Sequence, residues 1–434
     1  MKKSDLDATN VNIFESIQRD SLERNKYLPV FYNMLQNSGD IKIFSIDGEW
    51  GSGKTFFVKQ LQLLINSYNS MGENREDSEA IKKTIHLENS DSSMLAVYYD
   101  AWKNDDDIDP IISILNEIQI QLDTELKDDF QECDFKDAIK DIIVDCISNP
   151  YLNGLNKFLT SIKTDDSIAK FEEYKEIEGK IKNAFSKLHE EKCNKLVIFV
   201  DELDRCNPIY AVKLLERVKH YLVNERIIFV FSINSLELQH TIKKYYGNAF
   251  NAYEYLDRFF DFRLKLPEVS EYKWNYFLGI NGVSSSKVMN AIISYYNMSL
   301  RKALHYKMMC DIIMKNYNQF NEFLTFEIAP IVLGVFLSNI NDYKSLMNGT
   351  NKDLFVKLIC KADEFNYISS YLNIGPSLPK DNEETLYEDL YDAIFNLESS
   401  NSEKEVARTT FSRDTKLKLL EIVSFLSGIV DFKD

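Results

Sequence analysis

Eight consecutive residues, GEWGSGKT from position 48 to 55, form the pattern in this chain that is most suited to chemistry. They match G-x-x-x-x-G-K-[ST], the pattern of a loop that binds phosphate groups. Glycines let several backbone N–H groups face one anion, and the dipole of a following helix adds to the attraction. The predicted nucleotide-binding residues are Gly48, Glu49, Trp50, Gly51, Ser52, Gly53, Lys54, Thr55 and Phe56.

Two side chains of this phosphate-binding loop (the P-loop, residues 48–55) have specific predicted roles. We expect the Lys54 ammonium group to reach the β- and γ-phosphates and the Thr55 hydroxyl group to bind Mg²⁺. The alternative is a glycine-rich turn that binds nothing. The apolar run IKIFSI before the loop and the helical spacing after it favour the phosphate site.

A pair of acids follows a second apolar run, LVIFV, which is typical of a strand buried on both faces. Asp201 ends this predicted strand and is expected to hold Mg²⁺ directly or through water. Glu202 comes next and would act as the general base if it lies within reach of the attacking water. The alternative for both acids is an interaction with the dipole of the next helix.

Asn234 follows a third apolar run, RIIFVFSI. In P-loop ATPases that have an added strand between the two halves of the site, a polar residue at this position often helps to orient the water. The alternative is an asparagine at a helix start that makes only local hydrogen bonds. Ser235 is predicted to cap the next helix, and Gly247 to end it.

The elements that must position these residues alternate between strand and helix over the first 267 residues, and helical patterns occupy the remainder. That order predicts an α/β fold with a parallel sheet, followed by an α-helical domain. We place the core at 1–270, with a helical insert at about 105–191, and the helical domain at 271–434, with a break near 375–405. Residues 11–37 are predicted to be helical, and residues 66–80, at the start of the polar segment 66–93, are predicted to be loop.

Composition restricts the classes of function. The formal net charge of −17 disfavours a broad nucleic-acid interface, because an acidic surface repels phosphate backbones. The chain has no N-K-x-D or T-K-x-D element, so ATP is the expected nucleotide. It has no apolar run long enough to cross a membrane, and its six cysteines have no C-x-x-C spacing. We therefore expect a cytoplasmic protein without an integral membrane segment.

Several segments, taken in order, resemble the KAP family of P-loop NTPases. DGEWGSGKT is similar to the family's loop, with Trp50 as its distinctive member, and VYYDAWKNDDD resembles the family's next strand through Trp102. VIFVDELDRC resembles the family's acidic-pair segment, and MSLRKAL resembles the arginine element of its helical lid. Many relatives carry membrane helices between the two halves of the site, whereas none is visible in 105–191.

The resemblance implies a Mg²⁺-dependent ATPase core of the additional-strand type with five parallel strands. It also implies that Arg301 lies near the phosphates as a catalytic residue, and that the protein is an ATP-driven switch or assembly factor. Bacterial relatives are associated with phage exclusion, which implies protein partners or effectors from the same operon. Four arginines are candidates for stabilising transition-state charge: Arg205, Arg258, Arg263 and Arg301. If a neighbouring copy supplies that arginine, the protein must be a homo-oligomer. Two alternatives stay open: a nucleic-acid-dependent ATPase, and a scaffold that ATP stabilises without being hydrolysed.

Overall fold

The structure of the protein is a computed structural model, which describes residues 7–69, 76–87, 94–107, 109–125, 193–219, 226–269, 284–316, 324–362 and 383–395 and a few isolated positions. The chain divides into two compact units, residues 2–269 and residues 270–434. Among the described residues, every strand belongs to the first unit.

The first unit is built on one five-stranded sheet in which every neighbouring pair of strands is parallel. The order across the sheet is β2-β3-β4-β1-β5, so β4 separates the strand before the P-loop from the strand that ends at the acidic pair. The predicted α/β class and the added strand between the two halves of the site are confirmed. The strands are β1 (Ile43–Asp47), β2 (Met94–Asp100), β3 (Lys195–Asp201), β4 (Ile227–Ile233) and β5 (Phe262–Lys265).

Helices cover both faces of this sheet, which explains why the central strands are continuous apolar runs rather than alternating ones. Alternate residues of β3 and β4 enter two separate apolar clusters. One cluster contains residues of the first four helices and the other contains residues of the next four. These helices are α1 (Asn10–Arg19), α2 (Leu28–Gln36), α3 (Lys54–Tyr68), α4 (Glu76–Thr84), α5 (Pro110–Glu125), α6 (Pro208–Arg217), α7 (Ser235–Tyr246) and α8 (Ala252–Phe259).

Two local predictions in this unit are wrong. The helical pattern of 11–37 is interrupted between α1 and α2, where Asp20 and Glu23 have positive φ angles of 39° and 52° that cannot continue a right-handed helix. Residues 66–80, predicted to be loop, contain the last turn of α3 and the start of α4. The sequence of α4 has no clear helical pattern of apolar residues, because its exposed face is charged and few of its side chains are buried.

The predicted insert at about 105–191 contains α5, and most of the residues between α5 and β3 lie outside the described part of the chain. The predicted break near 375–405 contains a helix at Glu383–Phe395, and its remaining residues also lie outside the described part. Strand β5 lies at one edge of the sheet, and among the described residues it pairs with β1 alone.

The second unit is helical throughout its described residues, which confirms the predicted helical C-terminal region. A short π-helix, Leu324–Ile328, leads into the apolar helix at Ala329–Ser338. That helix packs closely on its neighbour, since a Cβ added at Gly334 would lie 2.3 Å from Ile292 Cγ2. The helices are α9 (Ser284–Tyr295), α10 (Leu300–Asn316), α11 (Ala329–Ser338), α12 (Ile340–Met347), α13 (Lys352–Ala362) and α14 (Glu383–Phe395).

A membrane crossing needs a helix that is both long and strongly apolar. Within the described ranges, none of the helices meets both conditions.

Candidate functional site

The P-loop connects the end of β1 to the start of α3 through two residues with left-handed backbones. Gly51 has φ +79° and Gly53 has φ +92°, and Gly53 is the N-cap of α3. An L side chain is strained in this region, so glycine is the residue that allows the loop to wrap and then enter the helix. The result is a set of backbone N–H groups at a helix N-terminus, which is the arrangement that binds phosphate.

Gly48 is required for a different reason, which is close approach. A Cβ at this position would lie 2.9 Å from Ser52 Oγ and 3.3 Å from Lys54 Cγ. The Gly48 N–H donates to Ile233 O of β4 at 3.1 Å, and Leu266 N–H donates to Asp47 O at 2.8 Å. The first residues of the P-loop connection are therefore hydrogen-bonded to the end of β4 on one side and to the residue after β5 on the other.

The side chain of Lys54, which is predicted to bind phosphate, folds back onto the P-loop. Its side chain is buried, and Nζ donates to Gly48 O at 2.6 Å and to Glu49 O at 3.1 Å. Burial lowers the pKa of Lys54, while the charges of Asp204, Asp201 and other nearby acids oppose that shift. The structure thus brings the P-loop lysine and the acidic segment after β3 into one electrostatic site.

Asp201 is almost fully buried at the end of β3, opposite Ser232 of β4, which in turn is opposite Ile46 of β1. Both of its carboxylate oxygens accept hydrogen bonds at 3.0 Å, Oδ2 from Tyr98 O–H and Oδ1 from Glu202 N–H. Burial is the main cause that raises the pKa of Tyr98 well above its usual range, so Tyr98 stays a donor. These bonds fix the orientation of the Asp201 carboxyl group.

The donor set fits Mg²⁺ better than a metal that needs a protein cage. Magnesium keeps several waters and is commonly held by one or two carboxylates together with substrate phosphates. Thr55 lies in the first turn of α3, and Asp201 supplies a buried carboxyl group. Across the described residues, no cluster of three or more His, Cys, Asp or Glu side chains is suited to hold a metal by itself.

Glu202 has an unusual backbone, with φ +60° and ψ 21°, in the left-handed region. A non-glycine residue there is strained, and such strain concentrates at functional sites. Burial and the neighbouring Asp201 raise the pKa of Glu202 to about 7, against the opposing effect of Arg205. The Glu202 carboxylate forms an ion pair with Arg205 Nε through Oε2.

At the start of α7, Asn234 is the N-cap in place of Ser235. Asn234 Oδ1 accepts from Leu236 N at 3.2 Å and Glu237 N at 3.4 Å. Ser235, predicted to be the cap, instead donates from N and Oγ to the carboxylate of Asp47 at 2.8 and 2.9 Å. The helix ends at Gly247, as predicted. The capping bonds use only the amide oxygen of Asn234, so its Nδ2 donors remain for the predicted contact with water.

The sequence offered Arg205 of the DELDRC segment only as one of four candidates for stabilising transition-state charge, and its contacts with the tryptophans were missed. The Arg205 guanidinium carbon lies 5.9 Å from the ring centroid of Trp50 and 5.4 Å from that of Trp102. These distances are those of cation–π contacts. The two tryptophans named in the family resemblance are therefore joined through one side chain, and the E-x-x-R spacing of Glu202 and Arg205 within DELDRC was the available signal.

Asp204 extends this group. It is buried, and its Oδ2 accepts a hydrogen bond from Trp50 Nε1. Its Oδ1 has no hydrogen-bond partner in the part of the chain that the structure describes. A buried carboxylate with so few donors is costly unless a cation is near. Lys54 is such a cation, since Asp204 is its strongest charge interaction.

Arg24 is a residue that the prediction missed. It is 7% exposed, and it donates from Nη1 to Ser52 O at 2.9 Å and from Nε to Pro267 O at 3.0 Å. Burial lowers the pKa of Arg24 to about 10. The side chain joins three separate segments: the turn before α2, the P-loop and the residues after β5.

The remaining predicted residues occupy the edge of the loop and the second unit. Glu49 and Trp50 are exposed on the loop, and Phe56 is half-buried in the first turn of α3. Arg301 is exposed at the second position of α10, in the second unit. Its proximity to the phosphates stays a prediction.

The model of the KAP family P-loop domain matches residues 24–318, more than half of the chain. No protein of curated function matches it. The matched range begins at Arg24 and includes the P-loop, the acidic pair and Asn234, so the chain belongs to the KAP family of P-loop domains.

Proposed function

We propose that this protein binds and hydrolyses ATP with Mg²⁺ and uses the cycle as a conformational switch. The observation that carries the proposal is the meeting of Lys54 with Asp201 and Glu202 in one electrostatic site, across the intervening strand β4. A P-loop lysine and an acid at the end of a nearby buried strand are the parts that phosphoryl transfer requires.

Each residue has a specific role in this proposal. Lys54 exchanges its bonds to the Gly48 and Glu49 carbonyl oxygens for bonds to the β- and γ-phosphates. Thr55 and Asp201 hold Mg²⁺, whose charge stabilises the charge on the transferring group. Glu202 accepts the proton of the attacking water, and Asn234 Nδ2 orients that water. Arg301 supplies positive charge from the helical unit.

Turnover of the wild type, compared with Lys54→Ala and Glu202→Gln, tests these roles. We expect Lys54→Ala to weaken nucleotide binding, and Glu202→Gln to bind ATP normally while phosphate release falls by about 100-fold or more. If Glu202→Gln keeps the turnover of the wild type, the assignment of the base is wrong. Tyr98→Phe is a useful comparison, because it removes one bond to Asp201 and leaves the proposed catalytic groups in place.

One observation favours a second candidate, a scaffold that ATP stabilises without being hydrolysed. The Glu202 carboxylate is engaged by Arg205, and a permanent engagement would prevent base catalysis. In that case the wild type would bind Mg²⁺ and ATP, gain thermal stability and release no phosphate. Phosphate release above the Lys54→Ala background excludes this candidate.

The switch would act on protein partners, in line with the resemblance to proteins of bacterial phage exclusion. We propose an antiviral role with effectors encoded beside this chain, and ATP-dependent assembly of several copies. Plating efficiency of phages on cells that carry the gene and its neighbours, with wild-type chain or Lys54→Ala, tests the role. Equal plating on both strains, for a panel of phages, would exclude an ATP-dependent defence against them.

A further inference from the structure

Arg205 lies at the centre of a group that joins the P-loop to the segment after β3. Its Nε forms an ion pair with Glu202 Oε2, and both side chains are mostly buried, at 22% and 18% exposure. The pair spans one turn of a short 3₁₀ helix, Leu203–Arg205, for which Glu202 is the N-cap. The position of the Glu202 carboxylate is therefore tied to that of the Arg205 guanidinium group.

Two indole rings also lie against the guanidinium group of Arg205. Trp50 belongs to the P-loop, and Trp102 follows β2, yet both ring centroids lie within 6 Å of the same guanidinium carbon. Arginine is suited to this arrangement, because its planar group can stack on aromatic faces while its N–H groups bind a carboxylate. Lysine carries the same charge but has no planar group to stack.

Trp50 is itself fixed by its bond to Asp204, the residue just before Arg205. The same P-loop side chain thus bonds to Asp204 and lies against Arg205. Trp50 and Trp102 remain 43% and 52% exposed, which is unusual for large rings that serve only to fill a core.

We propose that Arg205 is a positioning residue, which holds the Glu202 carboxylate in place for hydrolysis and is itself oriented by Trp50 and Trp102. The inference rests on the proposed ATPase function. It assigns the loop tryptophan a role in hydrolysis without contact with phosphate. Since Trp50 lies between the glycines that wrap the phosphates, the position of the base depends on the conformation of the loop.

The test compares Arg205→Ala and Arg205→Lys with the wild type, in the full-length chain. We expect Arg205→Ala to lower kcat by about tenfold or more and to leave the Kd for a non-hydrolysable ATP analogue within about twofold. Arg205→Lys keeps the charge without the stacked plane, and we expect a kcat about threefold or more below the wild type. Arg19→Ala is the matched control, since Arg19 forms an exposed ion pair with Glu15 on α1.

A double mutant separates positioning from a general structural role. If Arg205 acts through Glu202, the double variant Arg205→Ala, Glu202→Gln has the turnover of Glu202→Gln alone. A further fall by the full factor of Arg205→Ala would overturn the inference.

A spectroscopic measurement without nucleotide tests the contact itself. The chain has three tryptophans, so a Trp274→Phe background leaves only Trp50 and Trp102 to report. We expect Arg205→Ala to change their emission in the nucleotide-free protein, and Arg19→Ala to leave it unchanged. Identical emission in the Arg205→Ala variant contradicts the stacking.

The outcomes distinguish the two proposals. If Glu202→Gln loses turnover but Arg205→Ala and Arg205→Lys both keep it, the positioning role is wrong and the ATPase function stands. If Glu202→Gln keeps turnover, the proposed base is wrong whatever Arg205 does. Should Arg205→Ala fail to fold, as judged by circular dichroism, Arg205→Lys decides, and an unchanged kcat in that variant rejects the role.

Discussion

Trp50 donates its indole N–H to the buried carboxylate of Asp204, which joins the P-loop directly to the segment that carries the acidic pair. The two residues come from different βα connections, and β4 lies between the strands that precede them. The bond satisfies one oxygen of Asp204, whose other oxygen has no partner among the described residues. The two halves of the candidate site are therefore held together by protein groups.

This bond predicts that Trp50 contributes to stability as well as to catalysis. Trp50→Phe keeps an aromatic ring but leaves the Asp204 carboxylate without that donor. An unsatisfied buried group costs about 1–3 kcal/mol, so we expect the free energy of unfolding to fall by about that amount. Urea denaturation measures it. Trp102→Phe is the control, because Trp102 also stacks on Arg205 but is more exposed, and a change below about 0.5 kcal/mol is expected. Equal losses in the two variants would contradict the role of the bond.

Arg24 should control the shape of the P-loop. Arg24→Met fills similar space but leaves Ser52 O and Pro267 O without the bonds that Arg24 donates. We expect ATP affinity to fall by about tenfold, which is about 1.4 kcal/mol, because the loop loses a support next to the phosphate cradle. Fluorescent nucleotide binding measures the change. Arg24→Lys keeps the charge but not the two-pronged geometry and should also weaken binding, whereas Arg19→Met should have no effect. Unchanged affinity in both Arg24 variants would show that the loop holds its shape without this side chain.

Asn234 has two roles that one substitution can separate. Asn234→Ser keeps a good N-cap for α7 but removes the amide donors. We expect thermal stability to stay close to that of the wild type, while kcat falls by about tenfold because the water loses its orienting donor. Asn251→Ser, at the N-cap of α8, is a matched control that should leave kcat unchanged. A normal kcat in Asn234→Ser would leave the asparagine with its structural role alone.

Asp201 should be needed for the metal and not for the fold. Asp201→Asn keeps a similar shape and can still accept the Tyr98 hydrogen bond, but it loses the charge that attracts Mg²⁺. We expect phosphate release to fall by about 100-fold, with a higher Mg²⁺ concentration needed for half-maximal activity. Removal of Mg²⁺ with a chelator should abolish turnover in the wild type. Asp100→Asn, at the paired position of β2, is the control. If the Mg²⁺ dependence of Asp201→Asn matches that of the wild type, Asp201 is not a metal ligand.

Local sequence patterns were sufficient for the elements nearest the chemistry. The apolar runs before Asp47 and Asp201 predicted β1 and β3, since a strand covered on both faces must be apolar at every position. Asn207 followed by Pro208 is a typical helix start, and α6 begins there, with Asn207 Oδ1 accepting from Ile209 N. These patterns predict structure correctly because a helix start depends on a few neighbouring residues, and a buried strand is apolar along its whole length.

Other elements could not be predicted in this way. Helix α4 has a mostly charged surface, and the interruption before α2 depends on two non-glycine residues in left-handed conformations. The left-handed conformations of Asp20 and Glu23 have no strong sequence signal, because glycine is the residue that adopts this conformation routinely. Asn234 and Ser235 are both good N-caps, and the choice between them depends on Asp47, which is distant in sequence and binds Ser235.

Residue patterns were sufficient to predict the class of chemistry. They show a P-loop with a lysine and a threonine, an apolar run followed by two acids, and an order of elements that requires a parallel sheet. The contacts that connect the P-loop to the acidic segment and to the residues after β5 became visible only in the folded chain. The contact of Arg205 with both tryptophans and the bonds of Trp50 and Arg24 join residues that are far apart in the chain. Hydrogen bonds and cation–π contacts act over a few ångströms, so such couplings exist only after the sheet has brought the loops together.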